Sequence, residues 1–179
     1  MNATEPPPKA LVAAVRLIDR TVGEWSGKVF CWLIIPIVGG LTYEVLARHL
    51  FHAPTIWAYD ITYMLYGSHF MLGAAYTLYT RGHIRTDIFY EKWSPRTQGT
   101  VDATLYLFLF FPGMFFFLIA GWEEAWLSLQ LLETSDASPW RPPIYPFKMV
   151  LPLSALLLLL QGVSEFLKSA YTAWQGSSL

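Results

Sequence analysis

The sequence predicts an all-α integral membrane protein, with four transmembrane helices preceded by an N-terminal amphipathic helix in the membrane interface. Three observations lead there. Four apolar stretches, at 29–47, 56–79, 101–122 and 149–167, each approach the roughly 20 residues that a helix needs to cross a bilayer. Hydrophobic residues make up 54% of the 179-residue chain, so a sizeable soluble domain has no room beside four spans. The basic residues are also segregated. On a four-span topology Lys9, Arg16, Arg20, Lys28, Arg81, Arg85, Lys92, Arg96 and Lys168 share one side, and Arg48, Arg141 and Lys148 the other. The positive-inside rule then places both termini and the middle loop in the cytoplasm.

Residues 1–9, with Pro6-Pro7-Pro8, form a flexible cytoplasmic leader. Over 10–27 the positions Leu11, Val15, Ile18, Val22 and Trp25 recur at steps of four and three, while Arg16, Asp19 and Arg20 fall elsewhere on the helical wheel. Such a helix lies in the headgroup layer with its apolar stripe in lipid, or else extends the first span into the cytoplasm. No cleavable signal sequence is apparent, so the first span is retained. The four-helix domain then occupies 28–174 and a short tail 175–179.

Pro36 and Gly39-Gly40 in the first span predict a kink or a close helix contact. Gly67, Ser68, Gly73, Ala74 and Ala75 let a neighbour approach the second span, which packs inside the bundle or against a partner. The phenylalanines around Pro112-Gly113 in the third span need lipid or another subunit, because four helices cannot enclose them all. From Glu123 the third helix can run on beyond the membrane, whereas Pro139, Pro142, Pro143 and Pro146 dictate a rigid, extended connection. Trp126, Trp140 and Tyr145 suit an interfacial belt. The fourth span, with five leucines at 156–160, reads as the most lipid-like.

Ionisable groups at membrane depth are the default functional candidates. Glu44 and Arg48 are four residues apart on one helix face, and Asp60 enters the second span at the same level, so Arg48 pairs with Glu44 or with Asp60. Glu165 sits near the inner end of the fourth span. His69, in mid-span, is expected to be a hydrogen-bonded packing residue. The competing function is a haem-b-binding anchor of a respiratory complex, which needs two facing histidines at similar depth; His49 and His69 differ in depth. The single Cys31 supports neither a disulfide nor a thiolate metal site. No catalytic, cofactor or metal motif is recognisable, a net charge of −1 argues against nucleic acid, and interfacial polar residues disfavour a small channel. In the middle loop, Arg81-Gly82-His83-Ile84-Arg85-Thr86-Asp87 follows the second span, and Ser94-Pro95 opens the next helix.

With Arg48, Pro54, Trp57 and Asp60 ahead of that loop, and Trp140-Arg141-Pro142-Pro143 before the last span, the chain resembles the small, DctQ-type membrane subunit of TRAP (tripartite ATP-independent periplasmic) transporters. The His-hydrophobic-Arg-hydrophobic-Asp pattern common in that family matches His83, Arg85 and Asp87, with Thr86 in place of the usual Val. The resemblance implies a small, non-enzymatic permease subunit of the bacterial inner membrane. Such a subunit scaffolds and anchors a large membrane subunit during sodium-driven symport of organic acid anions, which a periplasmic substrate-binding protein delivers. It implies no cofactor here, sodium on the large subunit, and contacts with membrane lipids. Glu44, Arg48, Trp57, Asp60, His83, Arg85, Asp87, Trp140 and Arg141 are the structural and interaction candidates, and the outer loop around Trp140 the surface for docking the binding protein.

Overall fold

The computed structural model describes residues 7–82, 90 and 92–177. They form four helical runs: α1 (Lys9–Leu50), α2 (Ala58–Tyr79), α3 (Pro95–Gln130) and α4 (Tyr145–Gln175). No strand occurs among the described residues beyond a single bridge between Thr134 and Pro143. By length and composition α1, α3 and α4 can each cross a membrane. The 22 residues of α2 reach about 33 Å at 1.5 Å per residue, but tyrosines, threonines, Ser68, His69 and Asp60 make this helix the least apolar of the four.

The helix expected at 10–27 and the first span are one continuous run. Nothing between Lys9 and Leu50 stops a helix, and the sequence accommodates its irregularities as a π turn at Asp19–Glu24 and a 3₁₀ turn at Cys31–Leu33. The second contains Trp32, whose carbonyl would clash with the ring of Pro36 four residues on in a regular α-helix. The apolar stripe is corrected as well: Val15 and Val22 are buried against protein, because residues 9–30 pack on α2 and α4. Likewise a π turn at Tyr106–Phe110 precedes Pro112 in α3.

Ser94 caps α3, its Oγ accepting from Thr97 N–H at 3.3 Å with Pro95 following, as the Ser-Pro pair predicts. Arg81 and Leu132, both at positive φ, close α2 and α3 in the same way. Gly82 N–H donates to the Thr77 carbonyl at 2.8 Å and Arg81 N–H to Leu78; Glu133 N–H donates to Ser128 at 3.0 Å and Leu132 N–H to Leu129. These are Schellman ends with bulky residues where glycine is usual.

α4 is the central helix, touching all three others. The protein covers 39% of its most apolar stretch but 6% of those of α1 and α3. This overturns its reading as the most lipid-like span. The buried face is small and polar (Ser154, Ala155, Gln161, Gly162, Ser164, Glu165), whereas Leu153, Leu156, Leu160 and Val163 point outward. Within a membrane, small residues favour close packing while leucine is as content in lipid as in protein. Backbone meets backbone at Gly99 of α3, where a Cβ would lie 2.5 Å from Ala173 N and 2.7 Å from the Ser169 carbonyl oxygen. At Gly39, by contrast, a Cβ would meet nothing within 4 Å.

Candidate functional site

Polar side chains gather at the two ends of the bundle. At the first end Glu44 closes the α1–α2 hairpin. Its Oε1 accepts from Arg48 Nη2 at 2.5 Å and Nε at 3.1 Å, and its Oε2 from the Thr55 N–H at 2.9 Å and the Thr55 hydroxyl. Thr55 Oγ1 in turn accepts from Ala58 N–H, so the loop and the start of α2 hang on one carboxylate. Trp57 stacks on Tyr43 with centroids 5.8 Å apart.

Asp60 makes a different connection from the one its position suggested. It is 1% exposed, sits in the first turn of α2, where the helix dipole favours a carboxylate, and accepts from Ser135 Oγ at 2.8 Å and from Ser138 Oγ. Those serines belong to the α3–α4 loop, and each also accepts a loop N–H, Ala137 at Ser135 and Trp140 at Ser138. The pairing of Arg48 with Asp60 is therefore corrected: Glu44, one helical turn away, takes the guanidinium, and hydroxyls from a distant loop take Asp60. That loop is pinched rather than extended, with Ser135 N–H bonded to the Pro142 carbonyl and Ile144 N–H to that of Glu133, while Pro146 lies inside the first turn of α4. At its tip Trp140 is half-exposed, and Arg141, at φ 48°, extends to Asp136 at 2.6 Å. Lys148 fixes the loop's base, 2.6 Å from Glu124 and 2.7 Å from Glu133. The ammonium holds the Glu133 carboxyl below its ordinary value.

At the other end a buried cluster joins α1, α2 and α4. Asp19, at the π turn, accepts through Oδ1 from Gln161 Nε2 (2.9 Å) and Ser164 Oγ (2.6 Å). Its Oδ2 faces Lys168 Nζ at 2.9 Å. Lys168 also bonds Glu165 Oε1 at 2.6 Å and lies over the Tyr79 ring; Arg81 reaches the far oxygen of Glu165 at 3.9 Å. Gln161 is wholly buried, and its Oε1 has no partner among the described residues. The sequence pointed to Glu165 but not to Asp19, which looked like a solvated face, nor to Gln161, hidden in an apolar run. His69 packs as expected, with Nδ1 3.0 Å from the Phe30 carbonyl oxygen. His83, Arg85 and Asp87 lie outside the described residues.

Residues 37–172 match the family model for the DctQ component of tripartite ATP-independent periplasmic transporters. The chain belongs to the DctQ family. It is thus a TRAP transporter small permease component, a membrane protein of a transport system and not a member of an enzyme family. The DctQ match includes the Glu44 hairpin, the Asp60 clasp and all of the α4 side of the buried cluster, and leaves Asp19 outside. In the tripartite system a DctQ component works with a large membrane subunit and a binding protein. No curated protein matches the chain.

Proposed function

We propose that this DctQ chain is the stationary scaffold of its transporter, holding a large, substrate-translocating subunit in the inner membrane while that subunit moves organic acid anions inward with sodium. Four spans carry this role, α2 being the fourth, with both termini and the middle loop cytoplasmic. Supporting the reading is the way polar groups are used. Among the described residues, carboxylates at the two ends of the bundle tie separate segments together: Glu44 holds the loop after α1, Asp60 holds the α3–α4 loop, and Asp19 pairs with Lys168 of α4. A frame that must resist a moving partner benefits from such cross-ties.

The Glu44–Arg48–Thr55 hairpin and the Asp60 clasp fix the outer end, and the Asp19–Lys168–Glu165 cluster the inner end. Trp140 and Arg141, displayed on the clasped outer loop, form the contact for the substrate-binding protein, and His83, Arg85 and Asp87 brace the cytoplasmic side. Affinity purification of the chain from its native membrane in mild detergent, with mass spectrometry and an absorption spectrum of the same sample, tests this. A large multi-span permease without a Soret band is the expected result. A Soret band with redox subunits would overturn it in favour of a haem anchor.

A further inference from the structure

The bundle presents outward surfaces of different chemistry. α1 offers aliphatic side chains such as Ile35, Val38 and Leu46, and α3 offers Phe108, Phe115 and Phe116. Acyl chains satisfy both. α2 differs. Tyr59, Tyr63, Tyr66 and Phe70 follow one another at steps of four, three and four, and are 66%, 52%, 54% and 62% exposed. Three residues on, Gly73 continues the stripe as a hollow in which an added Cβ would meet nothing within 4 Å. Two of the phenol rings are packed against neighbours, Tyr63 against Phe147 with centroids 5.3 Å apart and Tyr66 against Phe70 of the same stripe at 4.7 Å. Their hydroxyls, like that of Tyr59, have no hydrogen-bond partner among the described residues.

A phenol needs an acceptor wherever water is excluded. Tyr59 stands in the first turn of α2 and reaches the headgroups. Tyr66 lies eight residues beyond Ala58, about 12 Å along the helix, close to the middle of a hydrocarbon layer about 30 Å thick. Lipid tails carry no acceptor there, whereas a protein helix with hydroxyl, amide or strained carbonyl groups does. The same tyrosines leave α2 the least apolar helix, so it is the one whose exposed face lipid serves worst. We infer that the stripe Tyr59–Tyr63–Tyr66–Phe70–Gly73 is the seat for the large membrane subunit. Its occupant is a membrane helix presenting hydrogen-bond acceptors at the depth of Tyr63 and Tyr66 and a bulky side chain opposite Gly73. The inference rests on the scaffold reading and on α2 spanning the membrane.

Photo-crosslinking of the co-expressed full-length subunits in native membranes tests it, with benzoylphenylalanine placed in turn at Tyr63, Tyr66, Val38 and Phe116. Adducts with the large subunit from Tyr63 and Tyr66, and not from Val38 or Phe116, are expected. Adducts from Val38 or Phe116 alone would overturn the assignment while leaving the scaffold reading intact, as would adducts of Tyr63 with a second copy of this chain. Failure of the unlabelled wild-type chain to co-purify with any large permease would instead strike the scaffold reading. The hydroxyls are tested separately by the double substitution Tyr63→Phe and Tyr66→Phe, which keeps both rings. At about threefold in association per interhelical hydrogen bond, the recovered large subunit should fall roughly tenfold. Recovery equal to wild type would show that the phenols are not paired across the interface.

Discussion

Lys168 Nζ lies 2.9 Å from Asp19 Oδ2 and so joins the first helix of the bundle to the last. Both side chains are largely buried, and the same ammonium serves Glu165. Removing Lys168 takes the cation from Asp19 and leaves Glu165 with Arg81 at 3.9 Å, whereas removing the charge of Asp19 leaves Lys168 still paired with Glu165. Lys168→Met should therefore cost more than Asp19→Asn, with roughly 3 kcal/mol lost for the former. Thermal unfolding in mild detergent provides the comparison, and strictly additive losses in the double variant would show that the pair is not coupled.

Gly99 and Gly39 make opposite predictions for one chemical change. Gly99→Ala drives a methyl into the α4 backbone at Ala173 and Ser169, an overpacking that costs about 2 kcal/mol. Gly39→Ala meets open space and should leave stability unchanged or raise it by roughly 0.5 kcal/mol through the lower entropy of alanine. Equal effects of the two in a detergent melt would contradict the close α3–α4 crossing.

Because Asp60 is held by Ser135 and Ser138 rather than by Arg48, exchanging the charges of Arg48 and Asp60 should rescue nothing, while exchanging Glu44 and Arg48 should restore only the share lost with the ion pair, since an arginine at 44 cannot accept from Thr55 N–H. Asp60→Ala should also release the α3–α4 loop. Protease cleavage within 131–144 is expected to accelerate at least tenfold, and an unchanged rate would exclude the clasp.

Glu133 beside Lys148 gives a pH signature. Its carboxyl titrates below the ordinary value of 4.5 in the folded protein. The stabilisation it provides is thus complete above pH 4.5 and drains away as pH falls through the lowered folded value. Wild type should be more stable than Lys148→Met at neutral pH, and the gap should narrow on acidification below 4.5. Parallel melting curves across that range would mean that the ion pair contributes nothing.

Arg141 occupies positive φ, so its replacements separate backbone from side chain. Glycine relieves roughly 1–2 kcal/mol of left-handed strain, against roughly 0.5–1 kcal/mol of added chain entropy and about 0.5 kcal/mol for the exposed pair with Asp136. The opposing terms nearly cancel. Arg141→Gly should melt with wild type, whereas Arg141→Ala, which keeps the strain, should melt lower. If the guanidinium contacts the binding protein, Arg141→Gly should still reduce binding-protein-dependent uptake. Full uptake would remove Arg141 from the docking surface.

Much of this architecture could be read from local spacing. Glu44 and Arg48 sit one turn apart, Ser94-Pro95 announces a helix start, and the stretch from Glu123 prolongs the third helix through Gln130. What could not be read depends on distant contacts. Ser135 and Ser138 carry no periodic signal that points to Asp60, and Asp19 shows a polar face whether solvent or Gln161 covers it. The leucines of α4 misled because apolar side chains mark neither the centre nor the rim of a membrane bundle; the small residues between them, Ser154, Ala155, Gly162 and Ser164, mark the centre.

The central position of α4 also sets an order of assembly. It is the last of the four helices to be synthesised, yet it supplies Gln161, Ser164 and Lys168 to Asp19, the backbone against which Gly99 closes, and Lys148 at the base of the α3–α4 loop. A ribosome that has delivered α1, α2 and α3 to the membrane has therefore delivered a carboxylate without its cation and three helices without their common neighbour. Until α4 inserts, the nascent subunit is an open set of parts exposed to quality-control proteases, and closure comes in a single late step.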